Sequence, residues 1–247
     1  MISVLVINSI RIKILTAVFF IPMVMSFQEK PTKFENQAPI VRITTPTNNG
    51  HFNWNTEIQY SIHISDKEDG NSDYDEINSG EVLVQIAYLA DSTTINQFSK
   101  ASQAEPFAIS IMKLSTCFSC HTSRNKLIGP SFDRIANRYQ ADELTIERLT
   151  QKVMHGSQGT WGEAQMPSHT DLKPADIKQV VKWIIENNKN TAVFYQVGLK
   201  GSFRTKEKAE SDSKKSMYVI TASYLDHGLS GNSDTKKRGQ DRIIIRP

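Results

Sequence analysis

The sequence predicts a multidomain chain: an all-α unit, residues 105–190, inserted in or flanked by an all-β sandwich formed from residues 36–100 and 191–247. Three observations predict it. Apolar and polar residues alternate over 40–44, 57–65 and 81–90, the period of half-buried strands. Helical spacing replaces that alternation in 105–190. Alternation then returns at 217–225, followed by a short apolar run at 242–245.

Taken from the start, residues 1–26 read as an export signal. Arg11 and Lys13 form a basic region, and Ile14 to Val24 is an apolar run. That run is short of the roughly 20 residues that span a bilayer and suits a signal-peptide core. Val24 and Ser26 fit the positions before a cleavage site; an uncleaved anchor is the alternative. The mature chain is expected to carry no membrane span and to lie in the periplasm or at the cell surface. The formal net charge of +3 is too weak to argue for nucleic acid.

The first β segment follows. Ile40 to Thr44 is one strand, stopped by Pro46. In 57–65, Ile58, Tyr60, Ile62 and Ile64 share a face; in 81–90, Val82, Val84, Ile86 and Tyr88 do. Between them lie Asp66, Glu68, Asp69, Asp73 and Asp75, without EF-hand spacing. A solvated turn is the expectation there, and calcium binding is the alternative.

The helical unit carries the chemistry. Residues 105–121 fit a helix starting at Pro106, with Phe107, Ile111 and Leu114 on one face. Residues 117–121 read Cys-Phe-Ser-Cys-His, and they hold both cysteines of the chain. C-x-x-C-H is the attachment signature of c-type haem. Two thiols one helical turn apart reach the two vinyl groups of one porphyrin, and the adjacent His121 supplies an axial imidazole. A zinc site wants four ligands, and no second cysteine pair exists. A thioredoxin-like pair wants a βαβ setting, which the surrounding pattern lacks. Beyond the motif come Leu127-Ile128-Gly129-Pro130, a helix over 142–155, a Gly-rich stretch with Trp161, Met166-Pro167, and a last helix from Pro174. That helix places Ile177, Val180, Val181, Ile184 and Ile185 on one face.

These residues, in this order, resemble a small bacterial mono-haem class I cytochrome c over about residues 105–190. The resemblance implies one covalent haem c with iron, His121 and Met166 as axial ligands, and Pro130 accepting a hydrogen bond from His121. It also implies that Trp161 and Lys152 serve a haem propionate. From the residues alone Met166 is an open assignment; His155 and His169 are the rivals for the sixth position. His51, His63 and His227 receive no role.

The flanking strands resemble a bacterial immunoglobulin-like module, with the C-terminal strands closing the sandwich that the first three open. The −6 balance of residues 27–104 and the +5 balance of 191–247 favour their association. The expected function is electron transfer with an unidentified redox partner protein, of a dehydrogenase or terminal oxidase chain. No catalytic residues are assigned. The alternatives are a haem-based binding or sensing module that grips a glycan or protein, and, behind it, a peroxidase-like enzyme.

Overall fold

The computed structural model describes residues 35–101, 104–187, 192–230 and 232–247. The expected signal peptide, residues 1–26, lies outside them. Among the described residues, no helix is long and apolar enough to cross a membrane.

The chain begins with strands β1 (Ile40–Thr45), β2 (Gly50–His51), β3 (Glu57–Asp66), β4 (Gly70–Asn71) and β5 (Leu83–Leu89). Helices α1 (Ile95–Ala101), α2 (Phe107–Leu114), α3 (Phe132–Arg138) and α4 (Glu143–His155) follow. A hairpin of β6 (Ser157–Gly159) and β7 (Gly162–Met166) leads to α5 (Pro174–Asn187). The chain ends with β8 (Val193–Val197), β9 (Lys200–Arg204), β10 (Met217–Leu225) and β11 (Arg238–Arg246).

In one sheet β3 pairs with β1, β4 and β9; the other runs β2-β11-β10-β5-β8. All of these pairs are antiparallel except β2 with β11. Both sheets therefore combine strands from before and after the helices. β10 pairs with β5 from Met217↔Leu89 to Ser223↔Leu83, and β9 pairs with β3 from Glu57↔Arg204 to Ser61↔Lys200. Between the sheets lies one apolar core that includes Ile64, Val84, Ile86, Tyr218, Ile220 and Ile245, each at most 1 % exposed. The faces expected for 57–65 and 81–90 point into it, with Ile58 and Tyr88 at its margin.

The outer face of the second sheet is also covered. Leu83 packs with Ala108, Ile109 and Met112 of α2 and Val180 and Ile184 of α5. Ala87, Met217 and Val219 pack with Ile95 and Phe98 of α1. β5 and β10 are thus buried on both faces, which a simple alternating pattern does not anticipate. A buried ion triad crosses the same contact: Glu105, 4 % exposed at its side chain, meets Lys113 at 3.1 Å and Arg238 at 2.9 Å.

Three expectations need correction. The helix drawn over 105–121 stops at Leu114; Thr116 takes φ 56°, and Cys117–Ser119 form a separate tight turn. The buried face of α2 is Ala108, Ile109 and Met112, while Phe107 and Leu114 are 51 % and 78 % exposed. α2 meets a sheet on one side and α5 on another, so tertiary packing chose the face. The turn after β3 is only partly solvated: Asp66 is buried, accepting from the Glu68 and Asp69 amides. Asp69 accepts from the Tyr224 hydroxyl at 2.7 Å and the His227 amide at 2.9 Å.

Candidate functional site

The Cys-Phe-Ser-Cys-His segment forms one helical turn by its own hydrogen bonds. The Cys120 amide donates to the Cys117 carbonyl at 3.2 Å and the His121 amide to the same oxygen at 2.9 Å. Burial pushes the Cys117 thiol up to about 11.

His121 is fixed on two sides. Its Nδ1–H donates to the Pro130 carbonyl at 2.6 Å, and its ring stacks on Phe132 with centroids 5.5 Å apart. The intervening glycine is required. A Cβ on Gly129 would lie 2.4 Å from His121 Cε1, so only glycine lets the backbone pass under the ring. Burial lowers the imidazole pKa; the Pro130 bond opposes that and nearby His169 adds to it, leaving the ring easier to deprotonate than usual. A neutral imidazole that donates through Nδ1 presents the lone pair of Nε2 to a metal.

The opposite wall comes from α4 and the β6–β7 hairpin. α4 is capped by Asp142, whose side chain accepts from the Thr145 amide at 2.9 Å. Its later turns bring Leu149, Lys152 and Val153 to the cavity. Gly156, at φ 79°, turns the chain sharply, since a Cβ there would lie 2.7 Å from the Met166 carbonyl. The pairing Ser157↔Met166 then holds Met166 beside the end of α4. Lys152 Nζ donates to Thr160 Oγ1 at 2.9 Å, and Arg138 donates to the Thr160 carbonyl at 3.2 Å. The guanidinium groups of Arg138 and Arg134 lie 4.5 Å and 5.6 Å from the Trp161 ring. Three cations therefore crowd the Thr160–Trp161 corner and favour an anionic group there.

Together these elements line a single open cleft. Cys117, Cys120, His121, Pro130, Lys152, Trp161 and Met166 all border it. So does His169, whereas His155 is not among its lining residues. Val180, Val181 and Ile184 form its apolar floor with Ile135 and Leu149, a role that their helical spacing alone assigned only to core packing. Arg134 and Arg138 were not singled out from the sequence; nothing in their spacing distinguishes them from solvated charges. A flat apolar group with thiol-reactive edges, a metal at its centre and acidic substituents at one corner fits this donor set: thiols, one imidazole, a thioether, an apolar lining and a cationic corner.

Comparison with known proteins assigns the same segment. A family model described as Cytochrome c matches residues 110–187. Cytochrome c-551 of Allochromatium vinosum is 38 % identical over 71 residues, which cover 29 % of this chain and 76 % of that protein. Cytochrome c-551 of Pseudomonas denitrificans is 32 % identical over 75 residues, covering 30 % of this chain and 90 % of that protein. The crystal structure of wild-type Nitrosomonas europaea cytochrome c552 is 31 % identical and covers 31 % of this chain and 95 % of that chain, with a TM-score of 0.30.

Proposed function

This chain belongs to the cytochrome c family, with a covalently bound haem c and its iron at the Cys117–Cys120 motif, and on that premise we propose that it is an exported one-electron carrier with His121 and Met166 as axial ligands. The observation that carries the reading is the convergence of Cys117, Cys120, His121 and Met166 on one apolar cleft. When bound, the haem iron exchanges one electron with a partner without making or breaking substrate bonds.

The chain's own residues supply the rest. Pro130 holds the proton on His121 Nδ1, which leaves Nε2 as the nitrogen that would hold the iron. The β6–β7 hairpin presents the Met166 thioether, a ligand that raises the potential and leaves no open position for substrate. Lys152 and Trp161 serve a propionate at the cationic corner. The apolar floor of α5 excludes water and limits reorganisation when charge arrives. With His121 and Met166 both holding the iron, the protein would be a carrier rather than an enzyme, and its partner would be another redox protein. Export is supported by the apolar run 14–24 and by haem attachment outside the cytoplasm; haem-bearing chain confined to the cytosolic fraction of the source cells would refute it.

We further propose that residues 36–100 and 191–247 form one immunoglobulin-like domain into which the haem unit is inserted. The pairings of β5 with β10 and of β3 with β9 support this. Deletion of 205–247 should leave a coloured haem unit with a protease-sensitive N-terminal segment; resistance of 36–100 after that deletion would overturn it.

Ligation is tested by Met166→Ala and by carbon monoxide. The wild type is expected to show the far-red sulfur-to-iron absorption and to resist carbon monoxide when reduced. The variant should keep covalent haem, lose the absorption, fall in potential and bind carbon monoxide. Prompt carbon monoxide binding by the wild type would mean an open iron, and the carrier reading would fail.

A further inference from the structure

One end of the sandwich, outside the cleft that the haem motif borders, buries more negative charge than it neutralises. Three chain segments meet there. The register Ile40↔Ser65 sets the residues before β1 beside Asp66 at the end of β3. Asn36 Nδ2 donates to Asp226 Oδ2, just past β10, at 2.7 Å. The turn after β3 is tied to the same place, with Asp69 accepting from Tyr224 and His227.

Most oxygens in this group have donors. Asp226 Oδ1 accepts from the Gly228 and Lys237 amides at 3.0 and 2.8 Å. Asp66 Oδ1 accepts from the Glu68 and Asp69 amides at 2.9 and 2.7 Å. Three oxygens have none: Asn36 Oδ1, Asp66 Oδ2 and Glu68 Oε2 are shielded from solvent and make no hydrogen bond. Asn36 and Asp66 are 3 % and 7 % exposed. Buried carboxylate and carboxamide oxygens without donors are costly, and folded proteins leave few of them. The nearby cations do not answer the need. Lys237 Nζ donates to the Asn36 backbone carbonyl at 2.5 Å, and His227 is engaged by Asp69 and Glu81.

We propose that Asn36 Oδ1, Asp66 Oδ2 and Glu68 Oε2 are ligands of a calcium ion that pins the entry to β1 against the turn after β3. The donor set is all oxygen, mixes carboxylates with a carboxamide, and sits on a turn that adjusts to a large ion; calcium accepts such sets and completes them with carbonyls and water. Magnesium demands a tighter octahedron and sheds water reluctantly. Among the described residues no group of three or more His, Cys, Asp and Glu side chains is arranged for a metal. The site proposed here rests on two carboxylates and an amide oxygen, a different composition. Asp73 and Asp75, also in the acidic run, are exposed and take no part.

The test uses the full haem-loaded chain, stripped with EDTA and dialysed. Calcium chloride should bind at one ion per chain with a dissociation constant of about 10⁻⁴–10⁻³ M, the range of extracellular modules. It should raise the melting temperature of the β-sheet signal and leave the haem spectrum unchanged. Glu68→Gln, on the turn, is expected to weaken binding about tenfold or more through loss of one carboxylate charge. Asp66→Asn, which keeps the Oδ1 acceptor, should abolish it, and its haem spectrum and circular dichroism report whether it has folded. Absence of calcium binding by the wild type, an equal response to magnesium, or a Glu68→Gln variant that binds like wild type would each overturn the proposal.

Discussion

The two regions of this molecule complete their interiors in opposite ways. The β region closes on its own side chains, and Val82, Val84, Ile86, Ile220 and Ile245 are fully buried there. The helical region turns its apolar residues onto an open cleft that borders the haem-attachment motif. One core is made by the chain; the other is made by the chain together with its cofactor. The cost of losing apolar contact follows from this: small losses in the first leave a cavity, whereas loss of haem from the second removes the centre of its packing.

The largest expected effect breaks the comparison at its haem side. Cys117→Ala combined with Cys120→Ala should abolish covalent haem, leaving no colour after acid-acetone extraction. Amides of α3 and α4 should then exchange rapidly while those of β10 and β11 stay protected. If β10 and β11 lose protection to the same extent, the sandwich does not close by itself, and the contrast between the regions is wrong.

A second change attacks the seam. Glu105 lies just before α2, and its carboxylate meets Lys113 of the same helix and Arg238 of β11. Burial alone would raise its pKa; Lys113, Arg238 and Ser110 outweigh that and hold it below the ordinary carboxylate value. A depressed folded pKa gives stability that is present above the unfolded value, about 4.3, and lost as pH falls through the folded value. Glu105→Gln leaves the half-buried Lys113 and Arg238 without their shared carboxylate and is expected to cost about 2 kcal/mol at neutral pH. The difference between wild type and variant should shrink as the pH drops below about 4. Differential scanning calorimetry with the haem band followed in parallel should show the two regions melting further apart in the variant. A constant difference from neutral pH down to pH 3 would show that the carboxylate charge is not what holds the seam.

How much of this was legible beforehand differs along the chain. The haem motif was plain, because five consecutive residues carry its whole chemistry. Met166 was not plain from the residues alone: a methionine in a Gly-rich stretch has no period, and only the fold brings it beside α4. β10 was readable because apolar residues alternate on one face even where the other is buried as well. β8 and β9 were missed; at five residues each, one in each sheet, they are too short for alternation to stand out. α1 was missed because its apolar residues, Ile95 and Phe98, pack on Ala87, Met217 and Val219 of a sheet face that was expected to meet solvent. The misread face of α2 has the same origin. Wherever the two regions touch, the partner surface was invisible in the local pattern.

The smallest expected effect sharpens the comparison by making one substitution in both cores. Ile86 sits in β5 between Ile220 of β10 and Phe194 of β8, its register partners on either side, and is 0 % exposed. Ile109 of α2 is 1 % exposed and packs with Leu83, Met112 and Phe132, beneath the stacked His121. Ile→Val removes one methylene and costs about 1 kcal/mol in a well-packed core. In the β region the neighbours are locked by strand pairing on both sides, so the space cannot collapse and the cost should lie toward the upper end, about 1.5 kcal/mol. That loss should appear in the β signal with an unchanged haem spectrum. In the helical region α2 is held by side-chain packing rather than by strand pairing, so it relaxes more readily around the gap and Ile109→Val should cost less, about 0.5 kcal/mol. The shift would be transmitted through Phe132 to the His121 ring and register as a small change in the haem potential. Chemical denaturation followed at the haem band and by far-ultraviolet circular dichroism measures both variants. A potential change from Ile86→Val, with none from Ile109→Val, would reverse the expected assignment of the two cores.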